Sequence, residues 1–416
     1  MNRFGDYVDA NPTVKLTKNY EYPNIDIDKI KVGNKHVDSD ELVIYSGQSS
    51  SKFEKGDILF ARITPCLENG KYAIAKIADK GFGSTEFFVF RGIVNKSLTE
   101  YIYYFLGQKW IRQLAANSMT GASGRQRADL KFIKKIKCTI PNLEYQKKVV
   151  SLLSKYDQLI ENNNKRIKLL EQASQELFRE WFVRFRFPGY EKVEKKRSEL
   201  GMIPTNFEVI KINELIDYYV GGGWGNDDYS EDYSIAAFVI RGADFPAIVK
   251  SDVSTCPYRY HKISNYKPRK LKENDIVFEI SGGTAEQPVG RAVLVTKGIL
   301  DQLDDKVICA SFCKLIRPKY DRVKPHYFYQ WLKFLYDTRM IERFQLQSTG
   351  IINFKFEYFL RKGSVLVPST DLVNKYEKLV APMRDEIDKL SVGNSYLKKQ
   401  RDLLLPRLMS GKLEVK

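Results

Sequence analysis

Two stretches of the chain carry apolar residues at alternating three- and four-residue spacing. No Gly or Pro interrupts Glu144 to Arg184, where one seam holds Leu153, Tyr156, Ile160, Asn163, Ile167, Leu170, Ser174, Leu177 and Trp181. A second seam holds Val380, Met383, Ile387, Leu390, Asn394, Leu397, Arg401, Leu404 and Leu408. Seven of nine positions are apolar in each, which predicts coiled-coil stripes on two long helices. Each stripe has one central Asn, Asn163 or Asn394, a residue that fixes register at some cost in stability. Two such helices most simply pack on each other, antiparallel; the alternative is that each buries its stripe on its own domain. About forty residues give the first a length of ~60 Å. Pro382 and Pro406 are expected to mark boundaries or kinks in the second.

Outside the helices the pattern is mixed. Ile58–Phe60, Phe87–Phe90, Ile276–Phe278 and Ala292–Val295 are short apolar runs bounded by turn residues, predicting strands, while Tyr101–Leu114 and Pro325–Phe344 are aromatic-rich and helix-like. The chain also repeats itself. Gly56-Asp57-Ile58-Leu59-Phe60 is echoed by Asn274-Asp275-Ile276-Val277-Phe278, and Thr120-Gly121 by Thr349-Gly350, each followed by an apolar run ending in Pro141 or Pro368. The offset of roughly 220–230 residues is too long for a solenoid or propeller. The expected fold is α+β: two mixed α/β domains separated by a pair of long antiparallel coiled-coil helices, related by an internal pseudo-two-fold repeat. The boundaries read as 1–143 for the first domain, 144–187 for the central helix and 188–199 for a charged surface linker. The second domain follows at 200–370 and the C-terminal helix at 371–416.

Charge adds a partner class. With 68 Lys+Arg against 51 Asp+Glu among 416 residues the formal charge is +17, which favours a polyanion but does not separate nucleic acid from an acidic membrane surface. Arg112, Arg125, Arg127, Lys131, Lys134, Lys135 and Lys137 form one basic cluster. Arg259, Lys262, Lys267, Arg269, Lys270 and Lys272, threaded with Tyr258, Tyr260, His261 and Tyr266, form another. Either suits phosphates and stacked bases, or a strand edge defended by lysines. No apolar run reaches membrane-spanning length, and five cysteines do not form a disulfide framework; a cytoplasmic protein is expected. No phosphate-binding loop motif occurs, Gly221–Gly225 lacks the dinucleotide spacing, and Cys309 and Cys313 have no second metal-ligand pair. His36, His261 and His326 have no catalytic motif around them. The reading is a non-catalytic recognition scaffold with neither metal nor cofactor in this chain.

Four segments, in order, resemble the specificity (S) subunits of type I restriction–modification systems. They are Gly56–Lys71, the helix from Leu169-Leu170-Glu171 through Phe178-Arg179-Glu180-Trp181-Phe182, Gly201-Met202-Ile203-Pro204, and Arg401–Lys412. The resemblance covers essentially the whole chain. One departure is that Phe4-Gly5-Asp6-Tyr7 lacks the Gly-x-Ile-Pro lead-in of the second half, which leaves the first strand open. The resemblance implies two target-recognition domains reading a bipartite, asymmetric site on double-stranded DNA, the helices setting the gap. It implies two modification (methyltransferase) subunits using S-adenosylmethionine on adenine, and restriction subunits using ATP and magnesium, with no membrane partner. Two other functions compete: a coiled-coil nucleic-acid scaffold, or a DNA enzyme with its own unrecognised active site.

Candidate DNA contacts in the first domain are Ser123, Arg125, Gln126 and Arg127, where small residues permit close approach and guanidinium and amide groups suit base edges. Lys131 follows in the same basic cluster. Arg62 and Lys71 flank the Pro65–Gly70 turn, which the resemblance directs towards DNA. In the second domain Ser281, Gly282, Gly283, Gln287 and Arg291 occupy the equivalent turn. Asn353 and Lys355 take the places of Arg125 and Arg127, and Arg241 is a further candidate.

Overall fold

The structure, a computed structural model, describes residues 2–121, 125–284, 287–348 and 351–414. It divides into two compact units, Met1–Glu161 with Tyr396–Lys416, and Asn162–Ser395. The division falls inside both long helices, so each unit owns a segment of each.

Both units share one sheet plan. In the first, Val8–Ala10, Phe87–Gly92, Ile58–Ala61, Tyr72–Ala75 and His36–Val37 lie side by side in that order. In the second, the order is Ile216–Gly221, Cys313–Pro318, Ile276–Glu279 and Ala292–Leu294. The central strands are apolar on both faces because both faces are covered. Ile58 and Phe60 pack with Phe4, Phe90 and Ile102, whereas Leu59 faces Phe53 and Val89. Likewise Ile276 and Phe278 face Phe359 and Leu332, and Val277 faces Ile240 and Val307. A second layer repeats too. Tyr20–Ile25 runs antiparallel to Leu42–Tyr45 and parallel to Lys80–Gly83, as Ile235–Ile240 does to Tyr258–His261 and Val307–Cys309.

The Gly56-Asp57 and Asn274-Asp275 echoes are one structural device. Gly56 and Asn274 hold positive φ (90° and 70°), which glycine and asparagine tolerate best. The following aspartate accepts the amide of Glu54 or Lys272 and grips one arginine with both oxygens. Arg91 binds Asp57 at 2.7 and 2.8 Å; Arg317 binds Asp275 at 2.7 Å twice.

The first long helix spans Leu143–Phe178 and continues as a π turn over Arg179–Val183; the second spans Thr370–Met409. Within each unit the two segments pair antiparallel. In the first, Arg401 meets Asp157 at 2.6 Å and the Tyr145 hydroxyl donates to the Leu408 carbonyl at 2.9 Å. In the second, Asn163 Nδ2 donates to Asn394 Oδ1 at 2.9 Å, and Asn394 Nδ2 to Asn164 Oδ1 at 3.0 Å. Every residue of both stripes is buried or half-buried. The helices also pack on their own domains: Leu153 and Leu408 join the Ile102–Phe105 core, and Trp181 and Phe182 join Tyr327 and Tyr376. Both arrangements foreseen from the stripes therefore occur together.

Three local expectations are corrected. Pro382 and Pro406 do not bound the second helix, which runs through both; the ~3 kcal/mol cost of an interior proline is offset by the buried stripe on either side. Tyr101–Leu114 is two helices, Thr99–Leu106 and Lys109–Asn117, parted at Gly107-Gln108. Part of the charged linker is a hairpin, Lys195–Ser198 against Gly201–Pro204. The segment left open in the first domain is a two-residue strand, Asn2–Arg3, paired with Lys137–Cys138, where the second unit pairs Phe207–Lys211 with Ser364–Pro368. Among the described residues no helix is long and apolar enough to cross a membrane.

Candidate nucleic-acid interface

The central strand of each unit runs out into a turn, and most candidate residues gather there. In the first unit the backbone ladder continues past Ala61. Ala128 N donates to Arg62 O at 2.8 Å, Thr64 N to Gln126 O at 3.0 Å, and Arg127 exchanges both its backbone bonds with Thr120. This brings Arg62, Gln126 and Arg127 to one edge. The two guanidiniums converge on Glu86. Arg127 reaches it through Nε at 3.0 and 3.1 Å and Nη2 at 2.6 Å, and Arg62 through Nε at 3.2 Å. Arg62 also lies over the Phe88 ring, 5.6 Å from its centroid. The hydrogen bonds from Arg127, helped by Arg62, hold the Glu86 carboxyl below the usual range against the opposing effect of partial burial.

The other first-unit candidates are less concentrated. Arg125 is exposed and Lys131 stands exposed in the first turn of the helix Leu130–Lys135, whose amide end is capped by Asp129. Lys71 turns its ammonium to the Ile27 carbonyl at 3.0 Å. Ser123 lies outside the described residues.

The second unit builds the same edge from other residues. Ser281 and Gly282 pair with Asn353 and Ile352, and Ser281 Oγ donates to Asn353 Oδ1 at 2.8 Å. Gly282 and Gly283 hold φ of 117° and 71°. A Cβ on Gly283 would lie 2.7 Å from the Gln287 carbonyl, so the turn requires glycine. Arg291 is committed inward, to Glu279 at 2.9 and 2.5 Å, and with its amide oxygen facing the guanidinium Gln287 accepts from Arg291 Nη1 at 2.9 Å. Arg241 is half-exposed and bound to Asp244 at 2.9 and 3.0 Å and to the Thr255 carbonyl at 2.8 Å. Lys355 is exposed, immediately ahead of the helix Phe356–Lys362.

Strand register corrects the expected correspondence by two residues. Ile63 bridges to Arg127, and Ser281, two residues past Glu279 as Ile63 is past Ala61, pairs with Asn353. Asn353 therefore answers Arg127, and Lys355 answers the helix cap Asp129. Thr120 pairs with Arg127 as Leu346 pairs with Asn353, so Thr120-Gly121 answers Leu346-Gln347, and the Thr349-Gly350 echo, further along the chain, misaligns the two halves. Glu86 and its counterpart Phe312 were missed in the sequence. Arg62 N donates to Glu86 O and Ile280 N to Phe312 O, both at 2.9 Å, which makes them equivalent. Phe312 is 67% exposed. Extending the repeat through the neighbouring strand was the signal that would have found both.

In the Tyr258–Lys272 cluster three of the six cations are ion-paired. Arg259 pairs with Asp227 and stacks on Trp224, 4.3 Å from a ring centroid. Lys262 and Lys270 meet Asp232 and Asp305, and Arg269 donates to the carbonyls of Gly221, Gly222 and Asn265. Cys309 and Cys313 are buried free thiols, and burial pushes Cys309 up to about 12.

A doubled sheet plan, with side chains exchanged at the outgoing edge, defines a class of paired recognition modules. Residues 5–172 match the family model described as the type I restriction modification DNA specificity domain. The chain is 26% identical over 415 residues to the type I restriction enzyme MjaIX specificity subunit of Methanocaldococcus jannaschii, covering 97% of this chain and 86% of that one. It is 26% identical over 320 residues to the MjaVIII specificity subunit of the same organism, covering 76% and 71%. The type I restriction–modification S subunit from M. genitalium superposes with a TM-score of 0.54 at 14% identity over 98% of this chain and 95% of that one, a likeness of fold. Residues 5–172 thus carry the specificity domain of type I restriction–modification systems, and the chain along most of its length is similar to the specificity subunits of such systems.

Proposed function

We propose that this chain binds double-stranded DNA at a bipartite, asymmetric site, each unit reading one part through its outgoing edge. The carrying observation is that equivalent positions on one scaffold present Arg62, Glu86, Gln126 and Arg127 in one unit and Ile280, Phe312, Ile352 and Asn353 in the other. Arginine suits guanine O6 and N7, whereas Asn suits adenine N6 and N7. Two different edges on one scaffold read two different half-sites. Exposed Arg125, Lys131 and Lys355 supply sequence-independent phosphate contacts. Lys71, Arg241 and Arg291 hold the turns behind the edge.

In this reading the chemistry belongs to partners. Two modification subunits carrying S-adenosylmethionine methylate adenine, and restriction subunits using ATP and magnesium cleave. This chain supplies the address. Mapping methylated adenines in cells with and without the gene is the test: loss of methylation at one split motif supports the proposal, and an unchanged methylation map overturns it. Inserting one heptad into both helices is expected to lengthen the tolerated spacer between half-sites; an unchanged spacer would remove the helices as its ruler.

A further inference from the structure

We infer that Glu86 is a specificity-determining residue: a built-in counter-ion that aims Arg62 and Arg127 at base edges while offsetting one of their two charges towards phosphate. The inference rests on the DNA-reading proposal and adds to it a residue that makes no contact with a base itself. Glu86 grips both arginines by the Nε side. The Nη1 amine of Arg127 makes no hydrogen bond among the described residues, and Arg127 is 46% exposed at its side chain. The end-on face of the guanidinium, the face that forks onto guanine O6 and N7, is thus left open in a fixed orientation. Arg62 gives Glu86 one Nε bond at 3.2 Å and lies over the Phe88 ring.

Non-specific affinity comes almost entirely from cations meeting phosphates. A carboxylate between two guanidiniums withdraws charge from that contest without withdrawing base-reading hydrogen bonds. The second unit serves as an internal control. Where Ile280 and Asn353 replace Arg62 and Arg127, the acid is replaced by Phe312. Where the second unit does place an arginine, Arg291 at the position of Lys71, an acid appears opposite it: Glu279, at the position of Ala61. The acid follows the arginine and not the scaffold.

The test uses the full-length chain, a labelled duplex of random sequence and selection from a randomised duplex library. Glu86→Gln should bind the random duplex about tenfold more tightly at low salt, with the slope of log K against log salt steeper by about one. Its selected sequences should lose preference at one half-site and keep the other. Adding Arg62→Gln and Arg127→Gln should abolish the gain. Glu86→Gln with parental affinity, slope and selectivity overturns the inference, as does a gain that survives loss of both arginines. If Glu86→Gln fails to fold, Arg62→Gln with Arg127→Gln decides, with Glu86 retained. Selectivity at one half-site should fall with the other kept; because the cluster loses two charges whether or not Glu86 acts as counter-ion, selectivity decides, and unchanged selectivity at both half-sites overturns the inference. A parent chain that binds no duplex overturns the DNA-reading proposal itself and this inference with it.

Discussion

The two central strands are near copies up to Ala61 and Glu279, and strangers beyond. Upstream, both units repeat the positive-φ turn, the buried aspartate and the arginine that spans it. Downstream, the same backbone ladder carries Arg62, Glu86 and Arg127 in one unit and Ile280, Phe312 and Asn353 in the other. Side chains that close the sheet are constrained by burial, because a lost partner strands a charge. Side chains on the open edge are constrained only by what they meet outside. The boundary between the shared scaffold and the edge proposed to read DNA is therefore a single residue step along one strand.

Breaking the shared part should have the largest effect. Asp275→Ala leaves Arg317, only 17% exposed at its side chain, without its partner, and should destabilise the second unit by about 3 kcal/mol. Asp57→Ala should cost less, because Arg91 is more open to water at 33% and keeps Glu54 at 2.8 Å. Chemical denaturation of both variants measures the difference, and equal losses would mean that the two devices are not limited by burial. Exchanging readers comes next. Arg127→Ala and Asn353→Ala should each weaken binding by about 1–3 kcal/mol at one base position, in different half-sites; library selection showing both losses in one half-site would refute the division of labour.

The smallest effect concerns pH. His36 in the first unit and His261 in the second are both pushed below the ordinary imidazole range, chiefly by burial. The unfolded chain takes up these protons near pH 6.5 and the folded chain only at lower pH. Their contribution to stability is thus present above that point and is lost as pH falls through it towards the folded values. His261 is fully buried whereas His36 is 28% exposed at its side chain. His261→Phe should flatten the fall in Tm between pH 7 and 5 more than His36→Gln, and Tm at stepped pH will show the order.

The helical stripes, their paired asparagines, the central strands and the duplication were legible in the sequence because each depends on local periodicity or a short echo. The edge proposed to read DNA was only half legible. Gln126 and Arg127 stood out as polar residues beside small ones, yet the carboxylate that commands Arg127 lies 41 residues earlier and joins it only through sheet register. Arg291 looked as available as Arg127, since a sequence shows a cation but not that Glu279 holds it with its side chain 18% exposed, where Arg127 keeps 46% in its own pair with Glu86. Pro382 does not end the helix for the same reason: the packing that carries the helix through it comes from elsewhere in the fold.

The division of the chain bears on how the molecule is made. The second unit is one continuous run, but the first needs Tyr396–Lys416, whose Leu408 is wholly enclosed in its core and receives the Tyr145 hydroxyl. On the ribosome the later-synthesised module is thus able to close before the earlier one, which waits with an exposed apolar cleft until the final turns of helix emerge. A nascent chain stalled short of Tyr396 should present a protease-resistant centre and a vulnerable beginning.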